Sequence, residues 1–67
     1  MSKFAERLKE LREDKGLSLK QLAKALNISD VALGRWEKGT RIPNIETLEQ
    51  LSKFFKVTTD YMLGIGN

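Results

Sequence analysis

The sequence predicts an all-α, compact five-helix domain, and three observations carry that expectation. Apolar residues recur at helical spacing, Phe4, Leu8 and Leu11 in one segment and Ile45, Leu48, Leu51 and Phe55 in another. Segment after segment is bounded by residues that cap a helix start or close a helix end. No run alternates apolar and polar residues as a strand does, and no internal repeat or low-complexity tract interrupts the series.

The first helix is expected over Ser2 to Lys15, with Ser2 as its cap and Gly16 as its stop. Ser18 and Gln21 stand three apart in the pattern of a capping box, so a second helix begins there. It turns Leu19, Leu22, Ala23 and Leu26 inward and ends at Asn27, a residue that tolerates the left-handed turn conformation. Ile28 then points back to the core, and Ser29 caps a third helix that runs to Lys38 and closes at Gly39. "TRIPN" reads as a loop stiffened by its proline. Asn44 caps the fourth helix, which carries the Ile45 row to Lys56. A short fifth helix follows, with Thr58 as cap, Asp60 in its first turn and Gly64 as stop.

At 67 residues the chain is one domain at most, and a domain of this size buries only about 60% of the surface its unfolded chain exposes. Cysteine and histidine are both absent, which removes the usual metal ligands and the commonest general base. No cofactor, metal or catalytic residue is expected, nor any small-molecule substrate. The net charge of +3 is modest, but its distribution is uneven. Lys15, Lys20, Lys24, Arg35, Lys38 and Arg41 face only Asp30 and Glu37 in the middle of the chain, the footprint of a surface that binds a polyanion. No apolar run is long enough for a membrane span and the N-terminus lacks the core of a signal peptide. These features predict a soluble, cytoplasmic protein.

Two short helices joined by a tight turn, the second and third, form a helix-turn-helix arrangement. The stretches "RLKELR", "GLS", "QLA", "NIS", "RWEKG", "RIPN" and "VTTDYMLG" together resemble the Cro/C1-type (XRE-like) helix-turn-helix domain of phage repressors and bacterial regulators, from Arg7 to Gly64. The resemblance implies a lambda-repressor-like DNA-binding domain over residues 3–64, with its helix-turn-helix core at 18–38 and residues 65–67 as a tail or the start of a linker. It also implies a transcriptional regulator, a repressor by preference, that places the third helix in the major groove of operator DNA. Such a protein is bacterial or phage-encoded and associates with the nucleoid when bound.

On the third helix, Leu33 and Trp36 are spaced to face the core, which leaves Asp30, Val31, Gly34 and Arg35 outward, at positions that match the family's base readers. A guanidinium at Arg35 can grip guanine O6 and N7 bidentately or hold a backbone phosphate, and Val31, helped by Ala32, can touch a thymine methyl. Asp30 has the chemistry to accept a bond from cytosine N4, and also that of a first-turn acid stabilising the helix dipole. Gly34 weakens the helix by about 1 kcal/mol relative to Ala, which suggests close approach of backbone to DNA. Resemblance and helix-terminus chemistry assign phosphate contacts to Ser18, Lys20, Ser29, Lys38, Thr40, Arg41 and Asn44. Arg12 and Glu37 match a family ion pair that orients the recognition helix. Leu19 departs from the family pattern, which often has glutamine there.

The partner expected is a double-stranded, roughly palindromic operator bound by a homodimer. Val57, Tyr61, Met62 and Ile65 are apolar enough to form a small interface between copies or to cover the core of a monomer. The apolar outer face of the third helix also leaves open a protein-interaction module on the same fold, antitoxin-like or antirepressor-like.

Overall fold

The computed structural model describes residues 3–65. Ser2, the expected cap of the first helix, and Gly66 and Asn67 of the expected tail lie outside the described residues. Five helices follow one another: α1 (Lys3–Asp14), α2 (Leu19–Leu26), α3 (Asp30–Lys38), α4 (Ile45–Phe55) and α5 (Thr59–Leu63). Among the described residues there is no strand, and no helix is long and apolar enough to cross a membrane.

Local chemistry sets the boundaries. Ser18 and Gln21 form a reciprocal capping box: Gln21 N–H donates to Ser18 Oγ at 3.1 Å and Ser18 N–H donates to Gln21 Oε1 at 2.8 Å. Ser29 Oγ accepts from Ala32 N–H, Asn44 Oδ1 from Thr47 N–H, and Thr58 Oγ1 from Tyr61 N–H. Each bond satisfies a first-turn donor with no partner inside its own helix. At the other ends, Asn27 adopts the left-handed conformation with φ 56° and donates to the carbonyls of Ala23 and Lys24. The turn from α2 to α3 is thereby only Asn27, Ile28 and Ser29 long. Gly64, with φ 76°, has a second constraint, since a side chain there would collide with Lys3 Cβ and Cγ.

Every helix contributes to one core. Phe4 and Leu8 from α1, Leu22 and Ala23 from α2, Leu33 and Trp36 from α3, Leu51 and Phe55 from α4, and Met62 from α5 form a continuous buried cluster. Each fully buried side chain of this size contributes about 1.5–3 kcal/mol. α3 packs against both α1 and α2, and α5 packs against α1 and α4. The radius of gyration, 10.7 Å, matches the roughly 11 Å of a compact chain this long.

One sequence expectation changes, and one that was open between two alternatives is decided for two residues. Ile45 shares the helical row of Leu48, Leu51 and Phe55 but is 76% exposed. Burial deepens along α4, from Leu48, half-buried, to Leu51, fully buried, so its first turn stands outside the core. Met62 is fully buried and Val57 packs against the same cluster, so neither belongs to an outer face. Tyr61, Leu63 and Ile65 remain exposed. Ser52 is a buried polar residue within the α4 stripe, its hydroxyl satisfied by donating to Glu49 O at 2.9 Å.

Candidate nucleic-acid interface

α3 is held by its inner face and presented by its outer one. Leu33 is fully buried and Trp36 nearly so, which makes the indole a core anchor. Val31, Arg35 and Lys38 are exposed, while Asp30, Ala32 and Gly34 are half-buried on the flanks. Ala32 packs against the core cluster, so its methyl is only partly presented. Arg35 makes no side-chain hydrogen bond or ion pair among the described residues. Its guanidinium donors are therefore available to a ligand.

Two concavities flank the ridge of α3. One, of about 310 Å³, is lined by Ala32, Arg35, Trp36, Arg41 and Ile42. It brings Arg35 of the helix together with Arg41 of the following loop, two cations that form no ion pair among the described residues. The other, of about 240 Å³, is lined by Lys9, Arg12, Leu19, Gly34, Glu37 and Lys38. Ser18, Lys20, Ser29, Thr40 and Asn44 line neither; each is exposed on its own helix end or loop.

The caps keep part of their chemistry free. Ser18 and Ser29 use an oxygen lone pair to accept from the backbone, which leaves each hydroxyl proton able to donate to an anion, and the Asn44 amide NH₂ is free in the same way. Thr40 differs. Its hydroxyl donates to Arg35 O at 3.2 Å and its N–H donates to the same carbonyl at 3.1 Å. Together with the left-handed Gly39 (φ 80°), these bonds fix the start of the loop that carries Arg41. Thr40 acts first as the anchor of that loop.

Behind α3, Arg12 Nε donates to Glu37 Oε2 at 2.7 Å and Arg12 Nη2 to Glu37 Oε1 at 3.0 Å. Arg12 Nη1 donates to Leu17 O at 2.8 Å. One side chain thus joins α1 to the last turn of α3 and to the residue before the α2 cap. The pair is nearly buried, with side chains 12% and 7% exposed. The hydrogen bond to Glu37 raises the Arg12 pKa above its ordinary value, with desolvation opposing it.

Sequence reasoning missed two features. Arg7 donates to Tyr61 O and stacks over the Tyr61 ring, 4.2 Å from its centroid, tying α5 to α1. The partners are 54 positions apart, and no local pattern links them. Lys9, a charged residue of α1 that carries no motif, is brought by the fold to the second concavity. Leu19, which replaces the family glutamine, packs against the core cluster.

At Gly34, a Cβ would meet nothing within 4 Å. No packing among the described residues requires glycine at this mid-helix position. Gly34→Ala is therefore expected to stabilise the domain by about 1 kcal/mol, read as a rise in thermal midpoint of roughly 4–8 °C. A fall in midpoint would mean that the helix needs glycine for its own folding.

A helix-turn-helix family model matches residues 8–62. The chain is 47% identical over 60 residues to the HTH-type transcriptional activator BcrR of Enterococcus faecalis, an alignment that covers 90% of this chain and 29% of that protein. It is 42% identical over 61 residues to the HTH-type transcriptional regulator ImmR of Bacillus subtilis, covering 91% of this chain and 48% of ImmR. The chain thus spans about half or less of the length of these curated relatives. Among solved structures, the restriction-modification controller protein C.AhdI from Aeromonas hydrophila matches with a TM-score of 0.80 at 30% identity, over 91% of this chain and 92% of that one. With the capped α2–turn–α3 pair and the outward ridge of α3, these matches lead to one conclusion: the chain belongs to the Cro/C1-type (XRE-like) helix-turn-helix family of DNA-binding transcriptional regulators.

Proposed function

We propose that this chain binds a specific operator through α3 and acts as a repressor, without catalytic activity. The observation that carries the reading is the outer ridge of α3, where the Arg35 guanidinium has no hydrogen bond or ion pair among the described residues and shares a concavity with Arg41, which likewise forms no ion pair there. An exposed guanidinium on a helix that fits the major groove is a ready reader of guanine. Val31, 60% exposed, supplies an apolar contact for a thymine methyl, with Ala32 at its flank. Gly34 gives the strand room, and Asp30 serves the helix dipole as well as accepting from cytosine. Ser18, Lys20, Ser29, Lys38, Arg41 and Asn44 hold phosphates around this face, and Thr40 supports them by fixing the loop.

Repression needs only that a bound protein occupy the operator, whereas activation needs a further surface for the transcription machinery. The operator is roughly palindromic and is read by two copies, with half-sites about 10 base pairs apart. Exposed Tyr61, Leu63 and Ile65 on and beyond α5 offer the apolar surface for that pairing. The working compartment is the cytoplasm, at the nucleoid when bound.

Selection of bound sequences from a random DNA pool, followed by titration of variants on the selected site, tests the proposal. Arg35→Ala is expected to lose about 1–3 kcal/mol of discrimination at particular base pairs. Arg41→Ala is expected to weaken all DNA alike and to make the salt dependence shallower. Uniform loss in both variants would assign Arg35 to phosphate, and binding that ignores salt would remove the electrostatic face altogether.

A further inference from the structure

The concavity between α1 and α3 contains Lys9, to which none of the assignments above gives a role. On its floor Arg12 and Glu37 neutralise one another in a bidentate pair. The charge that remains comes from Lys9 and Lys38, both exposed, and neither forms an ion pair among the described residues. Two free ammonium groups around one recess repel each other and any cation, and they favour an anion between them. Leu19, the first residue of α2, forms part of the wall, so the recess also borders the positive end of that helix dipole. The remaining wall is Gly34, whose missing side chain leaves space that no described residue fills.

We infer that this recess seats one backbone phosphate of bound DNA, held between Lys9 and Lys38, with Gly34 giving the strand its clearance. Lys9, on the first helix and outside the helix-turn-helix, thereby becomes part of the DNA contact. The inference rests on the DNA-binding reading of α3 and adds to it a specific anchoring point. A phosphate clamp of this kind fixes the depth and tilt of α3 without reading sequence.

The test compares Lys9→Gln, Arg41→Gln and Lys53→Gln with the unaltered protein, each titrated against selected and random duplexes over a series of salt concentrations. Lys53 lies in the last turn of α4 and lines neither concavity. Each lost phosphate contact makes the slope of log K against log salt shallower by about 0.9. Lys9→Gln is expected to show that change and to weaken selected and random DNA by the same factor, while Lys53→Gln matches the unaltered protein. Gly34→Leu, which fills the recess, should also weaken all sequences alike; loss confined to particular base pairs would put Gly34 against a base and overturn the phosphate assignment. If Arg41→Gln changes the slope and Lys9→Gln does not, the clamp is wrong and the DNA reading stands. If the unaltered protein shows no salt-dependent DNA binding, both fall together.

Discussion

Leu33→Ala is expected to destabilise the domain by about 3–5 kcal/mol, enough to unfold much of the population at room temperature. Leu33 is fully buried at the middle of α3, in the cluster that receives side chains from all five helices. A chain of 67 residues has a total stability of roughly 3–10 kcal/mol. It therefore has little reserve against a cavity at its centre. Two positions earlier, Val31→Ala is expected to change stability by no more than about 0.5 kcal/mol, because Val31 is 60% exposed. Urea unfolding of the two variants reads the contrast directly. Comparable losses in both, or a Leu33→Ala loss below about 1 kcal/mol, would mean that α3 is not anchored by the face described here.

That asymmetry follows from how short the recognition helix is. α3 has nine residues, and an isolated helix of that length is marginal in water. Its order comes from Leu33 and Trp36 packing inward and from caps at both ends. The outer face contributes little to folding, which leaves Val31, Gly34 and Arg35 free to vary with the ligand. Gly34 is the clearest instance, since it lowers helix propensity without relieving any contact in the chain.

The features that could be read from sequence are those decided within a few residues. Ser18, Ser29, Asn44 and Thr58 cap helices because a short oxygen-bearing side chain reaches the N–H three positions on. Asn27, Gly39 and Gly64 end helices through their backbone conformation. Periodicity located the core positions but not the limit of the core. Ile45 has the spacing of a buried residue yet sits in a turn that overhangs the bundle, and Ala5, with no large side chain to mark it, is almost wholly buried. Contacts between distant segments leave no local trace. The Arg7–Tyr61 clasp and the arrival of Lys9 beside Lys38 depend on how α1 lies across α5 and α3. The pairing of Arg12 with Glu37 was anticipated only through family resemblance, since 25 positions separate them.

Glu37→Ala is expected to destabilise the domain by about 3 kcal/mol, well beyond the worth of a surface ion pair. The carboxylate accepts two bonds from a guanidinium that is only 12% exposed. Without it, Arg12 keeps its charge in a place where water reaches little of it, with the Leu17 carbonyl as its remaining partner. The sign of the pKa shift supports this. A basic group whose folded pKa is raised contributes stability that is fully present below its unfolded pKa and is lost only as pH rises through the folded value. For Arg12 both lie far above neutrality, so its contribution is constant across the physiological range. Replacing both partners, as in Arg12→Met with Glu37→Met, removes both desolvation penalties and is expected to recover most of the loss. A double-mutant cycle built from Arg12→Met, Glu37→Met and the two together should give a coupling energy of about 1–3 kcal/mol, and a value indistinguishable from zero would overturn the account. DNA binding by the refolded double variant separates stability from orientation. The pair joins α1 to the last turn of α3 and, through Leu17, to the start of α2, so affinity should remain low even where stability returns. Affinity equal to that of the unaltered protein would restrict the pair to holding the fold together.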